Sequence, residues 1–275
     1  MCSNIGKHRG QTCCYLSVIT KGKIFKNIAH FKSKMVSDNP SVSVIVPAYN
    51  EEKYLEPTLQ SVVNQGIDGL ELIVVPNRCT DRTAEVAEKF TPHVYDTDKK
   101  GISIAKNLGY ENASGEIVIF LDADSQMQEG FVDLVVKALQ GKYVGGKAKI
   151  LPDDDSSSAA AYFGWVNFCG RLSQVLTYVN PKWNNGAGAC LFSTHDQLDA
   201  LDKRDGYVFR PDLKTMEDVD LISRLRAGGP FKFLTEKGVV TSTRRFQADG
   251  YLKRFFMDFV EYANPERIEH RRDIR

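Results

Sequence analysis

The chain has no C-x-x-C pair, no histidine pair spaced to complete a metal site, and no run of 18 uncharged apolar residues. Its six cysteines, Cys2, Cys13, Cys14, Cys79, Cys169 and Cys190, are scattered. Neither a zinc site nor a disulfide framework is therefore expected, and a reducing cytoplasm is the simplest setting. The missing apolar run excludes a transmembrane helix. No G-x-G-x-x-G opens a helix after the first strand-like run, which argues against a nicotinamide enzyme. GKYVGGKA, 141–148, has the glycine and lysine spacing of a phosphate-binding loop, yet Ala148 stands where Ser or Thr would meet Mg²⁺. The apparent strand also lies within and after that motif instead of before it, so an ATPase is excluded. A net charge of +1 gives no basic excess, and no nucleic-acid partner is expected.

What is present suits one substantial core: 275 residues, 42% hydrophobic and 26% charged. The near-neutral total hides an asymmetry, because residues 1–37 hold seven Lys or Arg and no acid, leaving about −6 for the remainder. Within that leader Ile24, Ile28, Phe31 and Met35 recur at helical spacing among lysines. It reads as a basic segment for an anionic membrane surface, as a targeting sequence, or as a disordered extension upstream of a start at Met35. The division expected is a basic extension over 1–40, one domain over 41–246, and an amphipathic helix and tail over 247–275. Leu252, Phe255, Phe256 and Phe259 form the stripe of that last helix, which either caps a core or makes peripheral contact with the inner face of a membrane. A second amphipathic helix is expected over 159–179, with Ala161, Trp165, Phe168, Leu172, Val175, Leu176 and Val179 among its apolar positions.

Inside the domain, apolar runs at 42–46, 71–76 and 117–121 each lead into a polar loop, and helical stretches at about 54–64 and 81–90 lie between them. Strands apolar on both faces, alternating with helices, predict an α/β fold: a mostly parallel sheet with helices on both faces. Ligands of such sheets bind beyond the carboxyl ends of the strands, where these loops gather. The third run ends in FLDADS, 120–125, which sets Asp122 and Asp124 two positions apart. On an extended chain such residues share a side, so both can face one polyanion through a divalent cation. That pattern suits a metal-bound diphosphate.

The motifs VIVPAYNE, VVPNRCTDRT, AKNLGYENASGEIVIFLDADS and MEDVDLISRLRAGG together resemble the family 2 glycosyltransferases over roughly 41–246. The resemblance implies the Rossmann-like GT-A fold, a nucleotide-binding half (41–125), an acceptor and catalytic half (126–246), and inverting transfer from a UDP- or GDP-sugar with Mn²⁺ or Mg²⁺. It implies Asp124 as direct metal ligand, with Asp122 near the ribose or supporting the metal. Pro47, Ala48, Tyr49, Glu51 and Asn77 would line the nucleoside. Lys106 would approach the diphosphate or the base, unless it is an ordinary exposed lysine. The Glu217-Asp218 pair supplies the catalytic base in Asp218, with Glu217 beside it. WNNGAGACLFS, 183–193, would border the acceptor through Trp183, Gly186 and Gly188, and Arg244 or Arg245 would fold back on the diphosphate.

The chain departs from the family where a pair of acids usually follows the second strand, having Pro76 and Asn77 instead. An Asn side chain can still accept the ring N–H of a uracil or guanine, so either base remains open. Q-x-x-R-W, the mark of processive synthases, is absent, which favours single transfer to a hydroxyl of a glycan, a lipid-linked or a small acceptor. The alternative is a nucleotide-sugar-binding or scaffold protein of the same fold without turnover.

Overall fold

The computed structural model describes residues 41–176, 188–213, 216–244, 247, 250, 251 and 253, with only the backbone of 175 and 176. The basic leader, the stripe beyond Lys253 and Trp183, Gly186 and Arg245 lie outside the described residues. Three strands open the fold, β1 (Val42–Ala48), β2 (Glu71–Pro76) and β3 (Ile117–Leu121), with helices α1 (Leu55–Val63), α2 (Thr83–Glu88) and α3 (Ile102–Glu111) between them. Then follow β4 (Ser125–Met127), α4 (Phe131–Leu139), β5 (Gly145–Pro152), α5 (Ser157–Leu176), β6 (Cys190–Thr194), α6 (His195–Asp205), α7 (Glu217–Arg226) and β7 (Phe231–Thr241).

The strands form one seven-stranded sheet in the order β2-β1-β3-β6-β5-β7-β4. β1 pairs in parallel with β2 and β3, and β5 with β7, while β6 runs against both β3 and β5, and β4 against β7. Five strands therefore point one way, as a mostly parallel sheet requires. Alternation divides the buried side chains between two layers: Val42, Val44 and Val46 meet α1 and α4, whereas Ile45, Ile73 and Val75 meet α3, α6 and α7. α3 lies close on β1 because residue 109 is glycine; a Cβ there would fall 2.3 Å from Ile45 Cγ2.

The direction of the strands positions the site. Chain order reverses between β1 and β3, so a crevice opens at the carboxyl ends of these strands. β6 begins beside the end of β3, with Leu121 opposite Cys190, which brings Gly188 and Ala189 to the same edge. β7 ends opposite Pro152 and Ser125, carrying Ser242 to Arg244 there as well.

α5 forms close to its expected span but presents the other face. Ala159, Tyr162, Phe163 and Val166 are buried, whereas Ala161, Phe168 and Leu172 of the expected stripe are exposed. The helix is apolar on most sides, so periodicity alone selects no face. Close approach selects it: Gly170 packs where a Cβ would lie 2.9 Å from the Phe233 ring.

Candidate active site

Pro47 and Ala48 close β1 as buried residues, and the next side chain, Tyr49, is 58% exposed. Core packing is thereby ruled out for Tyr49. The loops after β1 and β2 brace each other through side chains. Asn50 Oδ1 accepts from Thr80 N–H at 2.8 Å, Glu51 N–H donates to Thr83 Oγ1 at 2.8 Å, and Glu52 N–H donates to Asp81 Oδ2 at 3.1 Å. Asn50 and Arg78 each take φ of 54°, and Met216, just before α7, takes 66°. Left-handed backbone costs a residue with a side chain about 1–3 kcal/mol and collects at functional sites. Asn77 is buried, and both ends of its amide are engaged by the chain: Nδ2 donates to Lys99 O at 2.7 Å and Oδ1 accepts from Gly101 N–H at 3.3 Å. It holds the 99–101 loop, with one amide hydrogen and one lone pair left over.

The two acids of FLDADS stand one step beyond the strand. β3 stops at Leu121, and Ser125 N–H closes a turn on Asp122 O at 3.1 Å. The alternation that puts i and i+2 on one side of a strand therefore does not govern this pair. The turn is fixed from three directions: Thr58 Oγ1 donates to Ala123 O at 2.9 Å, Asp122 N–H to Ala189 O at 2.9 Å, and Ser242 N–H to Asp124 O at 3.0 Å. Arg244 Nη2 donates to Asp124 Oδ2 at 3.1 Å and also to Glu51 Oε1, while its guanidinium lies 4.2 Å from the centre of the Tyr54 ring. The other oxygen of Glu51, Oε2, is buried with no hydrogen-bond partner among the described residues.

Asp122 faces the second acidic pair. Lys106 projects from α3 into the crevice, 2% exposed, and its ammonium donates to Glu217 Oε1 at 2.9 Å and to Asp218 Oδ1 at 2.7 Å. It also lies 4.9 Å from the centre of the Phe209 ring. Lys106 is thus no exposed helical lysine but the bridge between α3 and the start of α7. Burial raises the Asp122 carboxyl to about 8 against the pull of Lys106, and Asp218, Asp124 and Glu217 add to the rise. Asp218 is raised to about 6, by burial first, with Lys106 opposing and Glu217 reinforcing. Burial works against ionisation of Glu217 too, yet Lys106 holds it below the usual carboxylate range.

Gly188 sits next to Ala189, the residue that receives Asp122 N–H, which brings it to the edge where the acids stand. One residue of this site escaped the sequence reading. Lys147 on β5 is 2% exposed, with its ammonium 5.6 Å from the centre of the Phe233 ring and within electrostatic reach of Asp218. Burial beside Arg226 brings its ammonium down to about 7. It belongs to GKYVGGKA, the motif set aside as a false phosphate loop. Its signal is a lysine between Gly146 and Ala148 inside a strand that is mostly buried.

The sequence of 43–185 matches the family model described as glycosyl transferase family 2, just over half of the chain. The chain belongs to glycosyl transferase family 2. Among relatives of this family 2 chain, glycosyltransferase AglE of Haloferax volcanii is 31% identical over 145 residues, 48% of this chain and 47% of that protein. Glycosyltransferase GlyG of Streptococcus pneumoniae is 29% identical over 164 residues, 56% of this chain and 54% of that protein. The chain thus spans about half, or less, of the length of the curated relatives it matches. Residues 1–349 of TarS from S. aureus share the fold at a TM-score of 0.56 and 19% identity, covering 83% of this chain and 69% of that one. So does the mannosyltransferase PcManGT of Pyrobaculum calidifontis, solved with GDP-Man and Mn²⁺, at 0.56 and 20%, covering 81% and 64%.

Proposed function

We propose that this chain is a metal-dependent, inverting glycosyltransferase that moves one sugar from a UDP- or GDP-sugar to the hydroxyl of a glycan, lipid-linked or small acceptor. The observation that carries this reading is the meeting of its two acidic motifs: Asp122 and Asp124 on one wall of the crevice, Glu217 and Asp218 on the other, with Lys106 joined to the second pair. Proteins of the same fold were solved with UDP-GlcNAc and with GDP-Man and Mn²⁺, which supports a nucleotide-sugar donor.

The residues fit a divalent cation. Five carboxylates, Glu51, Asp122, Asp124, Glu217 and Asp218, interact with three cations, Lys106, Lys147 and Arg244, and Glu51 Oε2 is buried without a partner among the described residues. No group of three or more His, Cys, Asp or Glu among the described residues is gathered to hold a metal alone; an ion here would take its remaining ligands from the donor's phosphates. Asp124 would hold it directly, with Asp122 in support; the ion would neutralise charge on the departing diphosphate. Arg244 is placed to pair with the same phosphates, and the exposed ring of Tyr49 offers a face to the nucleobase.

Asp218 performs the proton transfer. The acceptor oxygen bonds to the anomeric carbon from the face opposite the diphosphate, its proton passes to the Asp218 carboxylate, and the diphosphate leaves with the electron pair of the broken bond. Lys106 holds Oδ1, so Oδ2 receives the proton. A carboxylate raised to about 6 suits a base working near neutrality. Thermal shift with UDP-, GDP- and dTDP-sugars, with and without Mn²⁺, identifies the donor, because a ligand of the native state raises the melting temperature. Donor hydrolysis or transfer that requires Mn²⁺ and stops on chelation is the expected result. Binding without any turnover, across acceptors, would instead select the scaffold reading.

The hydroxyl acceptor lies toward Gly188 in this reading, and Trp183 and Gly186 are assigned with it from the sequence alone. No helix among the described residues is long and apolar enough to cross a membrane.

A further inference from the structure

The outward face of α5 borders a cavity of about 270 Å³ that the donor and the catalytic pair do not use. It lies between α5 and the strands β5 and β7, lined by Lys149, Asn167, Phe168, Arg171, Phe233 and Thr235, with Gly164. Three features of this lining point to one kind of occupant. First, both charged liners are cations, and no acid among the described residues lines the space. Lys149 Nζ makes one hydrogen bond, at 3.3 Å to Glu236 O, while Arg171 is exposed and has no hydrogen bond or ion pair among the described residues. The carboxylate nearest in sequence, Glu236, accepts from Thr235 N–H at 2.9 Å and does not line the cavity.

Second, the walls are aromatic. Phe168 is 62% exposed, an unusual state for a phenylalanine on a well-packed helix, and it faces the cavity together with Phe233. A flat apolar ring beside a cation suits the carbon face of a sugar that carries a charge. Asn167 is committed elsewhere, its Oδ1 accepting from Ile150 N–H at 2.9 Å and its Nδ2 donating to Ile150 O at 2.7 Å, so it fixes α5 to β5 and leaves recognition to the cations.

Third, one wall of the cavity is shared with a lysine that the acids influence. Phe233 is a wall of the cavity, the Lys147 ammonium lies over its ring at 5.6 Å, and Lys147 interacts electrostatically with Asp218.

We propose that this cavity is an acceptor subsite that binds a phosphate or carboxylate carried by the acceptor, with Arg171 and Lys149 pairing with the anion, Phe168 against the adjoining sugar ring and the buried Phe233 closing the floor. The proposal rests on the glycosyltransferase reading for the word acceptor; the anion site itself stands on the lining alone. The substrate class that follows is an anionic acceptor, a sugar phosphate or a uronate, in preference to a neutral sugar. Arg171 is a specificity residue and takes no part in donor chemistry.

The test titrates glucose 6-phosphate, glucuronate, inorganic phosphate and glucose into the full chain and into Arg171→Glu, Lys149→Glu and Phe168→Ala, alongside UDP with Mn²⁺. The expected result is that one of the two charged sugars binds at least about tenfold more tightly than glucose, a margin of about 1.4 kcal/mol, and loses that margin in both charge reversals. Phe168→Ala should weaken the charged sugar while leaving inorganic phosphate unchanged. UDP with Mn²⁺ should bind every variant as it binds the parent, which shows that the variants are folded. Equal affinity for charged and neutral sugars, or charged-sugar binding that survives both reversals, overturns the subsite. Failure of UDP and Mn²⁺ to bind the parent would instead count against the glycosyltransferase reading, so the two failures are told apart.

Discussion

Asp218 and Lys106 form a unit in which each group sets what the other can do. Without the Lys106 ammonium, the Asp218 carboxyl would rise further and Glu217 would lose the contact that keeps it ionised. Asp218→Asn should keep donor affinity within about twofold while transfer falls about 100- to 10,000-fold, the usual contribution of a placed proton acceptor. A variant with near-normal turnover would remove Asp218 from that role. The pH profile follows from the direction of the shift. Transfer needs the ionised carboxylate, so the rate should climb with pH through about 6 and level off above it. Stability moves the opposite way: the folded carboxyl holds its proton more tightly than the unfolded one at 3.8, so this residue's contribution declines as pH rises from about 4 to 6. Melting curves of Asp218→Asn against the parent should therefore diverge across that window and run parallel above it. Parallel curves throughout would mean that the carboxyl is unshifted.

The elements show why parts of the sequence were legible and others were not. β1, β2 and β3 declare themselves because each is buried on both faces, so a continuous apolar run has one reading. Their loops are legible for the same reason, since the direction of a parallel sheet dictates where the loops meet. The face of α5 was not legible, because Ala161, Trp165, Phe168 and Leu172 repeat as regularly as the buried Ala159, Tyr162, Phe163 and Val166. Only the ring of Phe233 against Gly170, a contact 63 positions away in sequence, decides between them. Lys106 and Lys147 were obscure in another way: a lysine reads as exposed unless its buried acidic neighbours are known, and those neighbours lie on α7. The α5 contact can be tested on two glycines of one helix. Gly170→Val should cost about 1–3 kcal/mol, because the side chain must displace an aromatic ring within a packed layer. Gly164→Ala, where a Cβ meets nothing within 4 Å, should instead gain about 0.5–1 kcal/mol from helix propensity. Chemical denaturation measures both; equal effects would mean that α5 is not seated on Phe233.

Across the whole molecule, Arg244 ties the end of β7 to the loops that follow two other strands, through Glu51 after β1 and Asp124 after β3. The proposed metal ligand is therefore already neutralised by a cation in the free protein. A divalent ion arriving alone must compete with the guanidinium for Asp124, whereas an ion arriving with a diphosphate brings a new anionic partner for Arg244. This exchange predicts effects of opposite sign from one substitution. Arg244→Ala frees the Asp124 carboxylate and removes a neighbouring positive charge, so Mn²⁺ alone should bind more tightly, by a few-fold. The same change strips a phosphate partner, so UDP with Mn²⁺ should bind about tenfold or more weakly, the cost of a charge-assisted hydrogen bond at a partly buried site. Calorimetric titration of Mn²⁺, then of UDP at saturating Mn²⁺, reads both terms on one sample. If both affinities fall together, Arg244 merely supports the loop; if neither changes, the guanidinium has no part in the donor site.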